Sequence, residues 1–142
     1  MAESKTDTYK HKADIDAYAP ADCPPIDASP TDTDSFRFVM EPMIASDFHS
    51  FIQLKKLPKQ TETIHNKCKR CGLSLFDSKQ SAIDNYNNNP YRSKLPYTHI
   101  AQGKILKTHG KCTPPNKGHF TLFEYVDVDL MKEFSIICPI PK

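Results

Sequence analysis

The chain is expected to fold as a single α+β domain with a mixed or antiparallel sheet, two short helices and an irregular proline-rich N-terminal arm. Three observations carry this expectation. A length of 142 residues suits one domain. Short runs of alternating apolar residues recur from Phe36 to the C-terminus, interrupted twice by helical spacing. Residues 1–35 show no periodicity. Their segment AYAPADCPPIDASPTDTDS places four prolines among small and acidic residues, too little apolar surface to offset the entropy of ordering. The expected boundaries are an acidic arm over 1–35 and a compact domain over 36–142. Ile15, Tyr18 and Ile26 are the arm residues able to lie across that domain.

The elements follow in order. FRFVM (36–40) alternates as a strand, with Phe36, Phe38 and Met40 on one face and Arg37 and Val39 on the other. SDFHSFIQLKKL reads as a helix, with Ser46 as N-cap and Phe48, Phe51 and Ile52 at helical spacing. The basic stretch KKLPKQTETIHNKCKRC reads as a loop leading into the buried strand GLSLF. Asp77 then suits a helix cap, with Gln80 at the capping-box position and Ala82, Ile83 and Tyr86 on one face. NNNP (87–90) ends that helix, because proline cannot continue it. YTHIAQGKIL is a longer strand, HGKCTPPNKG a loop and HFTLFEYV another strand. The last strand carries Phe120, Leu122 and Val126 on one side and His119, Thr121, Phe123 and Tyr125 on the other. DVDLMKEF suits one helical turn, and SIICPI ends the chain as a strand.

Charge is segregated. Residues 1–35 hold eight acids and three lysines, a net −5, against +7 for the remainder. The stretch from Arg92 to Lys117 contains no acid. This pattern suits a protein or polyanion partner, with the acidic arm covering a basic face. Tyr91 and Tyr97 alone interleave with those lysines, so a stacking platform for single-stranded nucleic acid is weak. No apolar run reaches transmembrane length, and the N-terminal residues lack the apolar core of a signal peptide. Five cysteines, an odd number, then argue against a disulfide framework and for a reducing, cytoplasmic location.

HNKCKRCGLSLF (65–76) raises the question of metal. Cys68 and Cys71 supply half of a tetrahedral zinc site, with Gly72 behind them. HGKC supplies the nearest second half, His109 and Cys112, with His65 as an alternative ligand. A redox pair would open a helix, whereas a strand follows here. Zinc is thus the possible cofactor, and two unligated thiols are the alternative.

Three constellations could carry chemistry. GHFTLF contains a single H-x-T, whereas 2H phosphoesterases need two. His99 and His119 sit on strands that could pair, with Thr121 on the face of His119 and Lys104 nearby. A His, His, Lys and Thr set over 97–126 loosely resembles the sites of EndoU-like and related toxin ribonucleases. That resemblance implies acid–base cleavage of RNA. A second resemblance is to the ADP-ribosyltransferase fold. FRFV offers Arg37, GLSLFDSKQSAIDNY offers Ser74 before a helix, and Glu124 or Glu133 offers a late acid. It implies Arg37 on an NAD pyrophosphate, Ser74 ordering the site and a glutamate stabilising the ribosyl cation. The S-T-S and E-x-E signatures are absent. The layout of a proline-rich arm, a GLS-[LV]-F strand and a late H-x-T strand also resembles small uncharacterised bacterial proteins, which implies no activity. Because every catalytic set is incomplete, the expected function is a small soluble binding module. It is a zinc-stabilised one if the cysteines are ligands, with the NAD-using and ribonuclease readings as alternatives.

Overall fold

The computed structural model describes residues 9–18, 23–49 and 63–141. Six strands build one sheet: β1 (Thr33–Val39), β2 (Leu73–Phe76), β3 (His99–Ile105), β4 (Gly110–Cys112), β5 (His119–Glu124) and β6 (Phe134–Pro139). Their spatial order is β4-β5-β2-β1-β3-β6, with every neighbouring pair antiparallel. Three α-helices accompany them: α1 (Lys12–Tyr18), α2 (Ile64–Arg70) and α3 (Lys79–Asn88). The fold is α+β, and the sheet is antiparallel throughout.

Alternation along each strand sorts the side chains into two layers. Val39, Leu73, Leu75, Ile105, Phe120 and Leu122 face one way. There they meet Phe48, Leu130 and Phe134, which come from 3₁₀ turns at Ala45–Phe48 and Leu130–Glu133 and from the start of β6. Phe36, Phe76 and Ile100 face the other way, beneath Ala82 and Tyr86 of α3. Beside them Phe123 packs on Ile15 of α1 and on Cys68 and Cys71 of α2. Each fully buried Leu or Phe contributes about 1.5–3 kcal/mol, so the sheet is held from both faces.

Helix α3 starts as the pattern suggests, one residue later than Asp77. Ser78 is the cap and accepts from Ser81 N, while Gln80 donates to Asp84 rather than back to the cap. The helix ends at Asn88, ahead of Pro90. Two elements were read as loops and are not. Thr63 caps α2 by accepting from Asn66 N, so the Cys68–Cys71 pair lies at a helix C-terminus. HGKC contributes β4, paired with β5. The expected helix from Ser46 is a 3₁₀ turn that ends at Phe48 with His49 extended, and the remainder from residue 50 lies outside the described residues. The buried Asp47 carboxylate accepts from Met40 N and Ile44 N. Those contacts hold the preceding loop closed and favour the tight turn.

The arm is built into the domain. Residues 12–18 are helical, and β1 already begins at Thr33. Tyr9 bridges to Tyr125, and Ser29 exchanges both backbone bonds with Cys112, which covers the β4 edge. Ile15 is buried and Tyr18 packs beside it, whereas Ile26 is fully exposed. Among the described residues, apolar packing, backbone pairing and a lysine dock it. Lys10 reaches the buried Glu124 at 2.6 Å and the Val128 carbonyl. Of the arm's acids, Asp32 accepts from a backbone amide, that of Lys107. Cys23 and Cys68 form a disulfide, which corrects the expectation of none: an odd count excludes only complete pairing. Cys71, Cys112 and Cys138 remain thiols.

The disulfide closes a sequence separation of 45 residues, worth about 4 kcal/mol in a chain-entropy account. Reduction or Cys23→Ser should therefore lower the urea midpoint and make residues 9–32 the first site of limited proteolysis. An unchanged midpoint under reductant would show that the bridge adds no stability.

Candidate functional site

The sheet is split at its centre. β1 and β2 form one ladder pair, Phe36 with Phe76. β1 keeps its pairing with β3 along its whole length, and β2 keeps its pairing with β5, so the two halves diverge beyond that point. Arg37 occupies the gap. Its Nε donates to the Asp47 carbonyl, Nη1 to the Ser74 carbonyl and Nη2 to the His49 carbonyl. A guanidinium has five N–H donors, and two remain without a partner among the described residues. Arg37 therefore pins both lips of the split and still presents donors.

Ser74 takes its place from strand geometry. Thr121 bonds Thr113 with both its N–H and its C=O, away from β2. Thr121 and its partner Ser74 are thus a non-hydrogen-bonded pair, the closer kind for side chains. The N–H and C=O of Ser74 then face β1, where Arg37 takes the carbonyl and the N–H points into the split. On the helix-covered face, Ser74 Oγ lies 2.5 Å from His119 Nε2. The His119 ring stands edge-on to Phe76, with centroids 5.6 Å apart. Gly72 permits this approach: a Cβ there would lie 2.3 Å from Thr121 Cγ2.

Above the split is a cleft of about 430 Å³. Phe38, Phe76, Leu95, Pro96 and Tyr97 supply apolar wall, while Arg37, Ser74, Lys69, Asn85 and Asn89 supply polar groups. Burial lowers the His119 pKa below the ordinary imidazole value, and the Lys69 and Arg37 charges push it the same way. The imidazole is neutral at pH 7, and when Nδ1 carries its proton, Nε2 accepts from a hydroxyl. Among the described residues no carboxylate holds the other ring nitrogen.

The structure places Arg37 and Ser74 on the cleft lining, sets His119 and Thr121 beside Ser74 but outside that lining, and separates the other expected residues from them. His99 pairs with Val39 and His119 with Phe76, so they lie on opposite faces with β1 and β2 between their strands. The proposed two-histidine ribonuclease site on paired strands is thereby corrected. His99 instead bonds Thr98 Oγ1 and lies 3.4 Å from Glu41. Glu124 is on the face opposite Ser74, held by Lys10 and outside the cleft lining. Burial raises its pKa, opposed by Lys10 and Arg37. Glu133 ends a 3₁₀ turn, also outside that lining.

The expected metal ligands do not converge. No group of three His, Cys, Asp or Glu is arranged to hold an ion among the described residues. Cys68 is bonded to Cys23, and His109 Nδ1 accepts from Leu106 N. Burial pushes the Cys71 thiol up to about 11 and the Cys112 thiol up to about 12. The side chain of His65 lies outside the described residues. Lys69, Asn85, Asn89 and Tyr97 were not read as site residues, because nothing in their spacing marks them. They meet only through the docking of α2, α3 and the loop at 95–98.

His11, whose pKa is also lowered mainly by burial, has a buried Nε2 without a hydrogen-bond partner among the described residues. The unfolded chain protonates both histidines near 6.5, whereas the folded protein resists until lower pH. Stability is therefore full above about pH 6.5 and falls as pH drops through and below that value. Glu124, with its raised pKa, acts in the opposite sense above 4.5. Urea unfolding from pH 7.5 to 5 should show the decline, and His119→Gln should flatten it. A profile identical in His119→Gln and in His11→Gln would assign the slope elsewhere.

No known protein family, curated protein or solved structure matches the chain.

Proposed function

We propose that the protein is a small ligand-binding module and that its cleft at the β1–β2 split takes a nucleotide-class ligand. One observation carries this reading: Arg37 is fixed at the base of the cleft by three carbonyls and retains two N–H donors there. A donor already immobilised binds a phosphate with little further loss of entropy. Lys69 adds positive charge at the rim, and Phe38, Phe76 and Tyr97 form a wall suited to a planar base. Asn85 and Asn89 supply both donors and acceptors for its polar edge. Charge-assisted hydrogen bonds of this kind contribute about 1.5–3 kcal/mol each.

The convergence of Arg37 and Ser74 favours a dinucleotide such as NAD over RNA. It supports the likeness to the ADP-ribosyltransferase arrangement as far as binding. The late acid needed for transfer is not at the cleft, since Glu124 pairs with Lys10 on the other face. The reading is therefore recognition rather than glycosyl transfer. The rival partner is a polyanion on the acid-free stretch 92–117, which predicts a different dependence on mutation.

Isothermal titration with NAD, ATP and a nucleoside monophosphate separates the two. Binding to the cleft should weaken by roughly 5- to 10-fold in Lys69→Glu, a loss of about 1 kcal/mol at a rim charge. Tyr97→Ala should weaken it as well, while Lys107→Glu leaves it unchanged. If Lys107→Glu weakens binding and Lys69→Glu does not, the ligand sits on the basic stretch instead. If none of the three nucleotides binds at millimolar concentration, the nucleotide reading fails.

A further inference from the structure

We infer that Ser74 is a nucleophile and His119 its general base, so that the cleft accepts an acyl group from an ester with an apolar acyl chain. The inference uses the cleft described above but does not require that a nucleotide bind there.

The geometry supplies a nucleophile and a base for acyl transfer. The nucleophile and base are in hydrogen-bond contact, Ser74 Oγ to His119 Nε2 at 2.5 Å. Ser74 lines a cleft whose apolar wall of Phe38, Phe76 and Leu95 suits an acyl chain. The strand geometry that sets Ser74 opposite Thr121 turns its own N–H toward the split, where Arg37 Nη1 also reaches the Ser74 carbonyl. Stabilising the oxyanion would fall to these donors. An ordinary core serine bonds a nearby backbone carbonyl, as Ser35 does with Gly103. Ser74 instead engages an imidazole that shares its face of the sheet.

The step balances without any further reactant than water. The Ser74 Oγ lone pair forms a bond to the ester carbonyl carbon as the hydroxyl proton moves to His119 Nε2. The tetrahedral intermediate collapses, the carbon–oxygen bond to the leaving alcohol breaks, and His119 returns the proton to that alcohol. Water then attacks the acyl-Ser74 ester, giving its proton to His119, which passes it to Ser74 Oγ as the carboxylic acid departs. Since no carboxylate holds the far nitrogen of His119 among the described residues, the imidazolium is stabilised less than in a three-membered relay. Acylation should therefore be detectable and deacylation slow.

The test uses an alkyl fluorophosphonate, which forms an oxygen–phosphorus bond to an activated serine and releases fluoride. Intact mass and peptide mapping of the full chain should show one adduct, on Ser74. Labelling should vanish in Ser74→Ala and slow by at least roughly 100-fold in His119→Gln. The wild-type rate should rise with pH through a single ionisation below the ordinary imidazole range, as expected of His119 facing Lys69 and Arg37. That ionisation should be absent in His119→Gln, and free imidazole should partly restore labelling in His119→Ala. An adduct on another serine, no adduct at millimolar probe, or equal rates in wild type and His119→Gln would overturn the proposal. Peptide mapping of the wild type decides the point even if Ser74→Ala does not fold. Nucleotide binding without Ser74 labelling would refute this inference alone, and labelling without nucleotide binding would refute only the nucleotide reading.

Discussion

Arg37 is the residue on which the centre of this molecule depends. A six-stranded antiparallel sheet would ordinarily pair β1 and β2 along their length, but here the ladder between them is a single pair. The carbonyls beyond it require donors, because buried backbone polar groups are costly to leave unmade. Arg37 supplies them from one planar group, reaching Asp47, Ser74 and His49 at once. A lysine would bring a single ammonium in place of this fork. The same contacts that close the split structurally open it chemically, because they hold a cation at the base of a cleft.

The rest of the site is arranged around that gap. The buried Asp47 carboxylate ties Met40 and Ile44, which sets the direction of the Asp47 carbonyl toward Arg37. Gly72 lets β2 begin against Thr121, and the Ser74–Thr121 register then places Ser74 beside His119. Helix α3, capped by Ser78, lays Ala82 and Tyr86 on Phe76 and Phe38 and brings Asn85 and Asn89 to the rim. The N-terminal residues stabilise this half from beyond β5 through Ile15, Tyr9 and the Cys23–Cys68 bond. A deep ionic contact among them, Lys10 with Glu124, compensates a buried carboxylate that would otherwise cost several kcal/mol.

Two chemistries divide between the two faces. The face carrying α3 holds Ser74, His119 and the aromatic wall. The opposite face holds the larger aliphatic cluster and the Lys10–Glu124 pair. Residue type alone sets His99 with His119 and offers Glu124 as the late acid beside Arg37 and Ser74. The pleat separates them, since His119 and Glu124 differ by an odd number of positions along β5 and His99 belongs to the face of Val39.

Local pattern alone determined most of the strands and their two faces. The alternation in FRFVM, GLSLF and HFTLFEYV marks which side chains share a face, but not which are buried, since HFTLFE is covered on both sides and Val39 is more buried than Phe38 or Met40. The α3 boundaries were legible for the same reason, because caps and proline stops act over three or four residues. Helices α1 and α2 were not legible. Each is seven residues long and polar on most sides, and each is stabilised by burying Ile15, Cys68 and Cys71 against Phe123, a contact over long sequence separation. Arg37, Ser74, His119 and Thr121 could be named from residue type, but not their association. Strand order decided that: it inserted β2 between β5 and β1, separated His99 from His119, and set Ser74 between His119 and Arg37. Strand order is a property of global packing, because any of these strands offers the same backbone donors and acceptors to any neighbour. Only the assembled core selects which pairing buries both faces at once.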